Sequence, residues 1–247
     1  MASGTLDSGC GMDFPAQVQL GNFMERVNRF TALVTLDGRQ VTAHLANSGR
    51  LKELLTPGRP VYVVHRAVPG RRTSYDLVLA EVGEVLVSLD ARLPNKIAQE
   101  ALSRGTWAPF REYSVCRPEV RYGESRLDFM LTGASPTCLL EVKSVTLVDQ
   151  GKALFPDGPT ARGRRHLLEL ARAKHEGWRS AVVFVVQRPD AQALGPNDAT
   201  DPEFGRVLRE VARQGVEAYA YRCHVDLEHI VAAEAIPVVL DEVVHDS

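Results

Sequence analysis

Two short stretches decide how this chain folds: Arg126-Leu-Asp-Phe-Met-Leu131 and Cys138-Leu-Leu-Glu-Val-Lys143, joined by Thr132-Gly-Ala-Ser-Pro-Thr137. Each is an apolar-rich run of strand length, and the Gly and Pro between them signal a turn. If Leu131 faces Cys138 in a hairpin, then Phe129 faces Leu140 and Asp128 faces Glu141. Side chains alternate along a strand, so Glu141 and Lys143 share a face. This register gathers Asp128, Glu141 and Lys143 on one side, whereas a slip of one residue splits them.

Two neighbouring carboxylates repel each other, which is costly in an apolar-flanked hairpin unless something offsets it. A divalent cation does so, and hard oxygen ligands suit Mg²⁺ or Mn²⁺. A metal that polarises a phosphate oxygen and activates water, beside the ammonium of Lys143, is the equipment for phosphodiester hydrolysis. The same spacing also fits a structural salt bridge in which Lys143 neutralises one carboxylate. Such a pair adds little net stability and leaves the other carboxylate unpaired.

On the N-terminal side, up to about residue 88, the pattern is strand-like. Phe30–Leu36 and Arg39–Leu45 flank Asp37-Gly38, a strong hairpin signal. Runs at Val61–Val64, Asp76–Val82 and Glu84–Leu89 follow, each bounded by Gly or Pro, and together they predict a small barrel of the OB type. At Pro94 the pattern changes. Helices are predicted over Asn95–Arg104, Thr160–Glu176 and Pro202–Gln214, stopped by Gly105, Gly177 and Gly215. Between them lie strand-like Val120–Tyr122, Leu127–Leu131, Leu139–Leu147, Ala181–Gln187 and Val216–Tyr221. Strand and helix alternating in this way predict a mixed α/β domain. The expected organisation is a loose tail over 1–13, an OB-fold-like domain over 14–90 and an α/β domain over 91–247.

The 247 residues carry a formal net charge of -2, which hides an asymmetry. From Glu25 to Arg72 there are nine Lys/Arg against three Asp/Glu, and from Ala191 to Ser247 four against eleven. One face is thus expected to attract anions. No apolar run reaches the ~20 residues of a membrane span, and the N-terminus lacks the pattern of a secretory signal. Four cysteines without regular spacing point to reduced thiols in a cytoplasmic protein, not to disulfides or a zinc site.

Across nearly its whole ordered length the chain resembles the sugar fermentation stimulation protein A (SfsA) family. The resemblance rests on Arg29-Phe30, Asp37-Gly38, Thr42-Ala-His44, Asn47-Ser-Gly49, Pro57-Gly58, Asn95 and Glu100-Ala-Leu102. It continues through Glu119-Val-Arg-Tyr-Gly123, Ser125-Arg-Leu-Asp-Phe129, Glu141-Val-Lys-Ser-Val-Thr146, Phe155-Pro-Asp157, Thr160-Ala-Arg-Gly163 and His166-Leu167. The chain departs from the family at His44–Leu51, where relatives usually carry Cys-Pro after the His and then Thr-Gly-Ser-Met. The resemblance implies an N-terminal OB fold, a C-terminal domain of the PD-(D/E)xK restriction-nuclease type, and DNA binding. It matches Asp128 and Glu141 to metal ligands, Lys143 to the catalytic lysine, and Glu100 to an acidic residue that often joins such sites.

The expected function is therefore a DNA-binding protein with a Mg²⁺- or Mn²⁺-dependent nuclease site; the alternative is a non-catalytic regulator of sugar utilisation that keeps the fold. Arg162, Arg164 and Arg165 on the basic helix are expected to meet the DNA backbone, where charge and a helix N-terminus both favour phosphate. Arg126, Asn47, and the barrel residues Arg29, Arg71 and Arg72 complete the expected nucleic-acid contacts. Phe23, Phe30 and Tyr62 are candidate stacking surfaces for a single strand. Asp157 reads as a turn residue, the alternative being a third acid near the metal, and His44 as a structural histidine. Gln187-Arg188, closing an apolar strand, takes no assigned role. The oligomeric state is left open, with a homodimer among the options.

Overall fold

The structure, a computed structural model, describes residues 11–14, 17–66 and 69–240. The barrel comprises β2 (Val18–Asn28), β3 (Thr31–Leu36), β4 (Arg39–His44), β5 (Pro60–His65) and β6 (Tyr75–Val82), which follow the edge strand β1 (Gly11–Asp13). It closes because β4 pairs with β6, completing the circuit β4-β3-β2-β5-β6, and β7 (Val85–Ser88) extends β6. Asp37 and Gly38 both have positive φ, the backbone of a two-residue hairpin turn, and they set Leu36 opposite Arg39. Phe23, Val34, Val61, Leu77 and Val87 fill the interior.

The second domain continues with α1 (Leu93–Arg104), β8 (Val115–Tyr122), β9 (Ser125–Thr132), β10 (Cys138–Val145), β11 (Val148–Asp149) and β12 (Lys152–Phe155). It closes with α2 (Ala161–His175), β13 (Arg179–Val186), β14 (Ala193–Pro196), α3 (Pro202–Arg213), β15 (Glu217–Val225) and β16 (His229–Ile236). Its seven-stranded sheet runs β1-β16-β15-β13-β10-β9-β8, parallel across β10, β13 and β15 and antiparallel elsewhere. One face packs on α1, through Ile97, Ala101, Leu140 and Val183. The other packs on α2 and α3, through Leu139, Phe184, Leu167, Leu170 and Leu208. β10 and β13 are buried on both faces, which is why their sequences read as nearly unbroken apolar runs.

The tail expected over 1–13 needs correction where it is described: Gly11–Asp13 forms β1 and pairs with β16. Residues 1–10, including Cys10, lie outside the described residues. The sequence reading also misses β2, whose Gln, Asn, Glu and Arg dilute its apolar alternation. The helices start and stop as their caps dictate. Gly105 takes the left-handed C-cap of α1, the Thr160 side chain accepts from Gly163 N, and Asp201 accepts from Phe204 N. Among the described residues the cysteines are free, and no helix is long and apolar enough to cross a membrane.

Candidate active site

The hairpin takes the register that gathers the acids. Leu131 pairs with Cys138 and Phe129 with Leu140. Beyond that pair the ladder stops. The carboxylate of Asp128 takes the place of a strand, its Oδ2 accepting from Val142 N at 2.8 Å, while Oδ1 accepts from Asn95 Nδ2 of α1 at 2.7 Å. Burial, reinforced by the Glu141 charge, pushes the Asp128 carboxyl up to about 6.

Glu141 is 3% exposed. Its Oε1 receives two donors, Lys143 Nζ at 2.7 Å and His166 Nδ1 from α2. Among the described residues its Oε2 has no hydrogen-bond partner. Burial opposes ionisation of Glu141, but the Lys143 ammonium and the His166 hydrogen bond outweigh it and hold the carboxyl below its ordinary value. Arg162 Nε donates to His166 Nε2 at 3.3 Å, so the imidazole proton sits on Nδ1, facing the carboxylate. A line Arg162–His166–Glu141–Lys143 thus fixes one oxygen of Glu141 and leaves the other open.

Asp128, Glu141, Lys143 and Arg162 line a cavity of about 800 Å³ between the two domains, with His166 buried behind Glu141. Asp128, Glu141 and Lys143 come from the sheet and Asn95 from α1. Arg29 and the loop Asn47–Arg50 come from the barrel, and the segment 154–162 closes round. The barrel loop is held rigidly. Arg26 donates to the carbonyls of Arg29, Asn47, Gly49 and Arg50, and Arg50 N donates to Asp157 Oδ2 at 2.8 Å. A Cβ on Gly49 would crowd that carboxylate, so the glycine gives the Asp157 side chain room at this contact between the two domains. Asp157, expected to be a turn residue, is also the link between them.

Several expected site residues lie elsewhere. Glu100 does not reach the cavity. Five residues beyond Asn95 on α1, it is turned about 140° away and pairs with Arg104 at 2.9 Å. Arg126 is exposed and paired with Glu119. Arg164 is engaged by Asp201 at 2.7 Å and Arg71 by Asp76, and neither lines the cavity. Asn47 lines the cavity, yet its amide is spent on Leu89 O and Gly49 N and shapes the loop. Arg165 and Arg72 are exposed and away from the cavity. Arg29 and Arg162 do line it, joined by Arg50. His44 lies against Phe30. Gln187 bridges the domains, donating to Ser144 Oγ and accepting from Ser88 Oγ. Sequence reasoning missed His166 and Arg50. The signal for the former was a histidine four residues from Arg162, inside the apolar stripe Gly163, Leu167 and Leu170.

Two family models divide the chain where the folds do. Residues 24–89 match the SfsA N-terminal OB domain, and residues 92–229 match the sugar fermentation stimulation protein RE domain. The chain belongs to the SfsA family. The sugar fermentation stimulation protein homolog of Moorella thermoacetica is 50% identical over 217 residues, covering 87% of this chain and 94% of the relative. That of Symbiobacterium thermophilum is 51% identical over 232 residues, covering 87% and 92%. The structure of Pyrococcus furiosus SfsA in complex with Ca²⁺ superposes with a TM-score of 0.86 at 30% identity, covering 94% of this chain and all of that one. The fold of this SfsA protein is accordingly an OB barrel joined to a restriction-nuclease-like α/β domain.

Proposed function

We propose that this SfsA protein binds DNA and hydrolyses phosphodiesters in the interdomain cavity with the help of Mg²⁺ or Mn²⁺. The observation that carries this reading is the orphaned Oε2 of Glu141 beside Asp128. A buried acceptor without a partner costs about 1–3 kcal/mol, and a cation removes that cost. Asp128 and Glu141 fit such an ion: both offer hard oxygen, and each Asp128 oxygen keeps a lone pair beyond its one hydrogen bond. Among the described residues no cluster of three His, Cys, Asp or Glu side chains could hold a metal. Two side-chain ligands, with water and substrate completing the shell, is the habit of Mg²⁺. The Ca²⁺ in the Pyrococcus furiosus relative supports an ion of the same hard class.

When bound, the cation polarises the phosphate and lowers the pKa of attacking water. The chain supplies the rest. Lys143 places its ammonium beside Glu141, where it can meet charge building on the phosphate oxygens. His166 and Asn95 hold the two carboxylates in orientation. Arg29, Arg50 and Arg162 line the cavity without a carboxylate partner among the described ion pairs, so their charge is available to the phosphodiester backbone.

Incubation of the purified protein with single- and double-stranded DNA, with Mn²⁺ or Mg²⁺, tests this. Cleavage is expected, and Glu141→Gln or Lys143→Ala should reduce it at least about 100-fold while DNA binding in EDTA persists. Cleavage that survives Asp128→Asn and Lys143→Ala overturns the mechanism. Salt-sensitive DNA binding with neither cleavage nor Mn²⁺ binding establishes the regulatory alternative instead.

A further inference from the structure

The turn joining β2 to β3 carries a side chain that the proposed chemistry leaves unused. Phe30 is 45% exposed, although its backbone is pinned. Its N–H donates to Asn28 Oδ1 at 2.9 Å, and its carbonyl accepts from Leu45 N at 2.9 Å. The preceding carbonyl, of Arg29, accepts from Arg26 Nη2 at 2.7 Å. The Arg29 guanidinium lies 5.9 Å from the centre of the Phe30 ring, and the His44 ring 6.4 Å from it.

A single exposed apolar residue needs no explanation. This one is different in setting. It is an aromatic ring on a rigid turn, flanked by a cation and an imidazole, and the flanking cation lines the cavity that holds Asp128 and Glu141. Aromatic rings alternating with cations are the elements by which a protein follows a nucleic-acid strand, one taking a base face and the other a phosphate. In a duplex the base faces are covered by the stack, so only an unpaired base can use the ring.

We propose that Phe30 is a base-stacking subsite, taking one unpaired nucleobase of a single-stranded nucleic acid whose adjoining phosphate lies on Arg29 at the cavity. This rests on the nucleic-acid part of the reading above and is independent of its catalytic part. Single-stranded DNA and single-stranded RNA present the same stacking face, and the experiment separates them.

Fluorescence anisotropy of the full chain in EDTA, with labelled single-stranded DNA, single-stranded RNA of the same sequence and the blunt DNA duplex, decides it. Phe30→Ala should weaken single-strand binding about 10–100-fold and leave duplex binding unchanged, and Phe30→Trp should restore it. The single strand held more tightly names the substrate. Because the ring is exposed, Phe30→Ala should melt with the wild type, so a loss of binding is not a loss of fold. Unchanged single-strand affinity in Phe30→Ala, or equal losses on strand and duplex, overturns the subsite while leaving DNA binding and cleavage standing. A wild type that binds no nucleic acid overturns both readings.

Discussion

Glu141 and Asp201 are equally buried acids in one domain, each beside a cation, and what differs is how their oxygens are matched and what they open on. Asp201 is saturated: Oδ1 accepts from Arg164 and Phe204 N, and Oδ2 from Arg164 and Thr160 N. It closes the N-terminus of α3 and ties it to α2. Glu141 has two donors on one oxygen and none on the other, and it opens on a cavity. A buried acid with every lone pair matched is architecture. A buried acid with an unmatched oxygen beside a second acid has capacity left for a ligand.

Removing the saturated acid should produce the largest effect. Asp201→Ala strands the Arg164 charge and uncaps α3, so urea unfolding should show a loss of about 3–5 kcal/mol, with Mn²⁺ affinity of the folded protein unaltered. A comparable loss of Mn²⁺ binding would erase the distinction between the two acids.

Asp128→Asn sharpens the same contrast from the open side. The carboxyl of Asp128 ionises near 6 in the fold, above its ordinary range, so its charge opposes folding. The wild type is relieved of that cost below about pH 4 and bears it in full above pH 6. The stability advantage of Asp128→Asn in the metal-free protein should therefore grow as pH rises between these values, reaching at most about 3 kcal/mol. Thermal or urea unfolding across this range is the measurement, and an advantage that shrinks with pH contradicts the assignment.

His166→Ala frees Oε1 from one of its two donors. Calorimetric titration should then show Mn²⁺ affinity lowered about 10–100-fold, with partial recovery in His166→Asn, whose amide can donate from near the position of Nδ1. The smallest effect separates two arginines two residues apart on α2. Arg162→Ala should lower the salt dependence of DNA binding by about one charge, whereas Arg164→Ala should leave that slope as it is.

How much of this was legible in the sequence follows from the range of each interaction. The hairpin register was readable because a two-residue side-chain period and a turn of fixed length admit few pairings of Leu131 with Cys138. The helices were readable from Pro94, Gly105 and the stripe through Leu167 and Leu170. The partner of Glu141 was not, because His166 lies 25 residues away and reaches it only once α2 packs on the sheet. The same holds for the arginines. Arg29, Arg71 and Arg164 look alike in sequence, and only the folded neighbours show that Asp76 and Asp201 occupy two of them. β2 was lost to its polar residues, since a barrel strand half open to water needs little alternation to be held by neighbours on both sides.

The pairing of β1 with β16 gives the molecule an order that differs from its sequence. The described chain starts on the sheet of the second domain, passes through the whole barrel, and returns to that sheet at α1. The barrel is thus an insertion tethered at both ends, with Ser88 and Gln187 riveted at the second crossing. A deletion series that treats the first residues as dispensable would remove a sheet edge from the nuclease-like half, and a barrel excised at residues 14 and 90 would take one wall of the cavity with it.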